Sequence, residues 1–130
     1  MQKRLLQIIV VVAALVPILG GLSGVMGNPL RGAGFIGSQF SYLSGLLLGV
    51  GLGFWTLVPN IERNGDKFFV LTLVVVVGGF CRAIGVLTGG VAGPAVYACL
   101  VMELIVTPSL YLWQTRVARL EAVDGAVPQG

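Results

Sequence analysis

Histidine is absent from this chain of 130 residues, and Asp and Glu together number only 5. The first absence removes the commonest metal ligand and proton shuttle. Charged residues of both signs make up 10% of the chain, against roughly 25% in an ordinary soluble domain. The net charge of +3 is small and scattered, which argues against a nucleic-acid footprint. There are two cysteines, Cys81 and Cys99, both within apolar runs and with no CxxC spacing. Zinc and thioredoxin-like sites therefore have no support. No metal and no cofactor is expected, and buried thiols of this kind act as small hydrophobes unless the two pair.

What is present is apolar. Hydrophobic residues make up 56% and the mean hydropathy is +0.97. A short chain has too much surface to be this apolar in water, so the bilayer is its expected surroundings. Four runs, about residues 5–25, 40–58, 68–87 and 91–113, each approach the roughly 20 residues a helix needs to cross hydrocarbon. The expected fold is all-α: one domain over 1–130, a bundle of four transmembrane helices, with a short C-terminal tail at 114–130. Gly27-Asn28-Pro29 and Pro59-Asn60 separate the runs, and Asn64-Gly65 is a turn with Asp66 placed to cap the third helix. Gly89-Gly90 and Gly93-Pro94 imply a tight hairpin between spans three and four. The first run is too long for the apolar core of a signal peptide, so Pro17 is expected to kink a retained helix.

Basic residues set the orientation. Lys3, Arg4, Arg63, Lys67, Arg116 and Arg119 fall on one side of the predicted membrane, and only Arg31 on the other. By the positive-inside rule both termini are cytoplasmic. Trp55 and Trp113, near the cytoplasmic span ends, read as interfacial belt residues.

Only Arg82 and Glu103 place charge within the spans. Each costs at least ~2.5 kcal/mol near a helix centre. Arg82 lies ~6 Å outward of the third span's middle and Glu103 near the middle of the fourth, a gap a long Arg can bridge. An ion pair is expected. Tyr42 and Tyr97 fall at a similar level and complete a candidate polar pocket. Gly78, Gly79 and Gly85 lie on or beside the Arg82 stripe, and Gly45, Gly49 and Gly53 recur at four-residue steps in the second span. Small residues so spaced let helices approach closely. Glu103 shares a stripe with Cys99 and Thr107. The ion pair reads equally as structural glue or as a ligand site.

Further segments carry a resemblance. Gln39-Phe40-Ser41-Tyr42-Leu43-Ser44-Gly45, Val58-Pro59-Asn60-Ile61-Glu62-Arg63 and Gly78-Gly79-Phe80-Cys81-Arg82 are joined by Glu103 with Pro108 and by Leu112-Trp113-Gln114. Together these resemble the bacterial four-helix membrane family called domain of unknown function 4345, over about residues 5–119. The resemblance implies a multi-pass protein of the bacterial inner membrane and brings no activity, cofactor or catalytic residue. The first expectation for function is a non-enzymatic module, binding a lipid-like ligand between helices or serving as a small subunit of a membrane complex, with a homo-oligomer as a further partner class. A transporter or channel subunit using Glu103 and Arg82 is the second. An enzyme acting on a lipid or quinone is the third, and the inventory of catalytic groups suits it least.

Overall fold

The structure is a computed structural model and describes residues 1–90 and 92–126. Among these residues there are helices and turns and no strand. Helix α1 spans Gln2–Met26, α2 Phe35–Leu57 and α3 Gly65–Leu87. The fourth long helix is composite: α4 at Pro94–Val101, a π-helical turn at Met102–Val106, and α5 at Thr107–Ala126. All four are long and apolar enough to cross a membrane. Val91, the expected start of the fourth span, lies outside the described residues.

The boundaries differ from the apolar runs for physical reasons. Helix α2 begins before Phe40 because Asn28 ties the preceding loop to it. The Asn28 amide donates to the Gly37 carbonyl at 2.9 Å and to Ser41 Oγ at 2.7 Å, while its Oδ1 accepts from the Leu30 amide at 2.8 Å. Helix α5 continues past Trp113 to Ala126 where a tail was expected. Gln114 and Val117 are buried there, and Arg, Ala, Leu and Glu are good helix formers. Asp66 is not the cap of α3: Asn64 holds that position and makes no side-chain capping bond. Helix α1 runs through Pro17 as one element.

The chain divides into two compact units, Gln7–Pro59 and Met1–Leu6 with Asn60–Gly130. The first is a hairpin of α1 and α2. Val10, Ala14, Ile18 and Gly21 form a buried stripe on α1, spaced to share a face. A methyl added at Gly21 would lie 2.5 Å from the Leu48 amide nitrogen, and one at Gly51 2.5 Å from Ile18 Cγ1. The two backbones therefore approach as closely as glycine permits, which is how helices associate in lipid. Trp55 donates its indole N–H to the Val11 carbonyl at 3.1 Å. Gln7 donates to the Val58 carbonyl at 2.6 Å, satisfying an acceptor at the end of α2.

The second unit packs α3 against α4, the π turn and α5. Its buried residues include Leu6, Ile61, Phe68, Leu110, Gln114 and Val117. Tyr111 rests on Phe68 and Phe69, at ring separations of 6.4 and 5.4 Å. The α3 C-terminus closes as a Schellman motif: Gly90 N–H donates to the Gly85 carbonyl at 2.9 Å and Gly89 N–H to the Val86 carbonyl at 3.3 Å. Gly89, with φ of 100°, supplies the left-handed residue that motif requires.

Candidate functional site

The fourth helix changes its geometry at Glu103. Pro108 follows the π turn, has no N–H, and in a regular α-helix would drive its ring into the Leu104 carbonyl. The chain widens instead. The Thr107 backbone N–H reaches Met102, five residues back, and Thr107 Oγ1 donates to the same carbonyl at 2.7 Å. Ser109 Oγ satisfies the Ile105 carbonyl at 2.6 Å. Two hydroxyls thus serve carbonyls around the widened turn, and Glu103 is its second residue. Single-turn π segments of this sort concentrate at functional sites. The regular stripe expected for Cys99, Glu103 and Thr107 is interrupted here, because the extra residue shifts everything after it.

Glu103 meets Arg82 on α3. Arg82 Nε donates to Glu103 Oε2 at 3.0 Å, and Nη2 to Oε1 at 2.9 Å. This is the two-bond fork geometry that distinguishes Arg from Lys. Gly79, one turn before Arg82, brings the helices together: a methyl there would lie 2.9 Å from both Glu103 Cβ and Leu104 Cδ2. The carboxylate is mostly covered, with 15% of its side chain exposed, while Arg82 retains 38%. The guanidinium carries five N–H donors, of which Glu103 takes two. The other three have no acceptor among the described residues. Gly78 and Gly85, one turn either side on the same face, have open space where a Cβ would point.

The other predicted site residues are arranged differently. Tyr97 lies on α4 and is 55% exposed; Tyr42 belongs to the other unit and is 62% exposed. Neither hydroxyl forms a hydrogen bond among the described residues. Of the six glycines expected to pack helices, Gly79 is in close contact, and Gly45, Gly49, Gly78 and Gly85 border open space. Gly53 is partly covered on α2. Cys81 and Cys99 are free thiols. Among the described residues no group of His, Cys, Asp and Glu could hold a metal.

A second polar cluster was legible only in part. Gln114 Nε2, in a fully buried side chain, donates to the Ile61 carbonyl at 2.7 Å. This bond joins two of the segments that carry the family resemblance. In the same turn Lys3 Nζ lies 3.1 Å from Glu62 Oε1. Burial opposes the Glu62 charge, but its own backbone N–H, Lys3 and Arg63 together outweigh burial and hold the carboxyl below its ordinary value. Gln114 had a usable signal in sequence: a polar amide next to an apolar run needs a partner. Thr107 and Pro108 offered another, since proline within a helical run demands a local rearrangement.

A family model described as Domain of unknown function (DUF4345) matches residues 5–114. No curated protein and no solved structure matches the chain. The matched segment takes in α1, α2, α3, α4, the π turn, Arg82, Glu103 and Gln114, and the chain belongs to that family.

Proposed function

From this membership and the geometry of the Arg82–Glu103 pair, we propose that the chain is a non-enzymatic, multi-pass protein of a bacterial inner membrane that binds a lipid-like molecule at Arg82. Both termini lie in the cytoplasm, as six basic residues on one side against one on the other require. The carrying observation is the forked ion pair with three guanidinium N–H groups left over, in a helix otherwise fit for hydrocarbon. In lipid every such donor needs an acceptor, and intramembrane charge marks functional positions by default. The chemistry favours binding over turnover. The pair's one carboxylate is committed to a salt bridge, and the chain has no histidine to serve as a base.

The test is native mass spectrometry on protein released gently from its own membrane. A defined small mass that is retained by the wild type and lost in Arg82→Lys supports the reading. Proton-coupled flux in liposomes that vanishes in Glu103→Gln would assign transport instead. A co-purifying protein that survives Arg82→Lys would move the function to a subunit role.

A further inference from the structure

The way Glu103 occupies Arg82 restricts what else the guanidinium can hold, and on that basis, which rests on the ligand reading above, we infer that the site takes an uncharged apolar molecule headed by a carbonyl group. Glu103 uses Nε and one hydrogen of Nη2, which is one edge of the planar guanidinium. The opposite edge keeps one hydrogen of Nη2 and both of Nη1, and two of these point in parallel. That edge is a second fork, suited to an oxygen acceptor.

Charge then chooses among oxygen acceptors. A phosphate or carboxylate would fit the fork, but Glu103 has already neutralised Arg82. An anion would leave one uncompensated negative charge in hydrocarbon, a penalty of the order that excludes lone charges from membranes. A ketone, ester or quinone carbonyl satisfies the same donors and leaves the site neutral. Space permits it: Gly78 and Gly85 have open space where a side chain would begin, on the face that carries Arg82. The partial exposure of Arg82 beside a covered Glu103 sets the free edge outward, where such a head would arrive.

The experiment compares two probes with matched tails, methyl palmitate and hexadecyl phosphate, titrated against the full chain in nanodiscs of phosphatidylcholine and read by native mass spectrometry. The wild type is expected to retain the ester in preference to the phosphate. Glu103→Gln removes the cancelling charge and should reverse that order, since an unpaired guanidinium prefers an anion. Arg82→Lys keeps the charge and loses the fork, and should weaken ester retention by about tenfold, the loss of roughly one charge-assisted hydrogen bond. Helicity measured by circular dichroism verifies that each variant folds, and Arg82→Lys carries the test should Glu103→Gln fail to fold. Preference of the wild type for hexadecyl phosphate would overturn the neutral-ligand inference and leave the binding reading standing. Retention of neither probe by the wild type or by Glu103→Gln would overturn both.

Discussion

The two hairpins solve helix association by different chemistry. In Gln7–Pro59 the contacts are between backbones and small side chains. Gly21 and Gly51 admit the facing helix, and the side-chain bonds between distant positions, from Gln7, Trp55 and Asn28, are all between neutral groups. The α3–α5 unit has one glycine contact of that kind, at Gly79 beside the Arg82–Glu103 pair, while the Lys3–Glu62 pair and the buried Gln114 amide lie at the other end of α3, near Gly65. Lipid rewards both strategies, since apolar burial alone distinguishes poorly between a neighbouring helix and a fatty tail. Close backbone approach and neutral bonds hold the first hairpin, and the ion pairs belong to the second.

The strongest way to break this contrast is to orphan a charge. Arg82→Met should destabilise the fold by about 3 kcal/mol by leaving Glu103 unpaired in an apolar setting, and the double variant Arg82→Met with Glu103→Leu should recover most of it. Reversible unfolding in mixed micelles measures both. Failure of the double variant to recover would mean the pair does more than cancel charge.

Next comes shape. Gly21→Ala should cost about 1–3 kcal/mol, because the methyl would overlap backbone atoms that cannot move aside. Gly49→Ala, with open space around it, should be neutral or gain up to about 1 kcal/mol from helix propensity. Equal effects on thermal unfolding would show that the open glycine face is covered in the working protein.

Gln114→Leu tests the directed bonds with no charge involved. It leaves the Ile61 carbonyl buried without its donor, a loss of about 1–3 kcal/mol, and hydrogen exchange should rise in the Asn60–Asn64 turn before anywhere else. The smallest effect concerns Glu62. Its folded pKa lies below the ordinary 4.5, so the contribution is present above that value and fades as pH falls through the depressed folded value. Midpoint temperatures recorded from pH 7 down to pH 3 should show a modest decline that Glu62→Gln removes.

Much of this architecture was legible in sequence. Four apolar runs of spanning length, broken by Asn28-Pro29, Pro59-Asn60 and the Gly89-Gly90 turn, locate the helices, because periodicity and turn chemistry are local properties. Arg82 and Glu103 were identifiable as partners from depth alone. The misreadings arose where a distant group decided the outcome. Asn28 extends α2 backwards through its side chain, and burial of Gln114 and Val117 extends α5 forwards. A four-residue spacing marks which glycines share a face but says nothing of whether that face meets a neighbour. Gly79 and Gly78 are adjacent in sequence and opposite in surroundings.

The π turn at Met102–Val106 has a consequence of its own: the fourth helix carries one spare residue. The helix before it and the helix after it keep separate registers. Removing a single residue from the turn would let the backbone close into an ordinary α-helix while α4 and α5 keep the faces they now present, because the widened turn absorbs the ~100° that the spare residue would otherwise add. Gene lineages of this family are therefore expected to differ by single-codon gaps at this point more readily than elsewhere in the spans, because such a gap leaves the faces of the flanking helices in place.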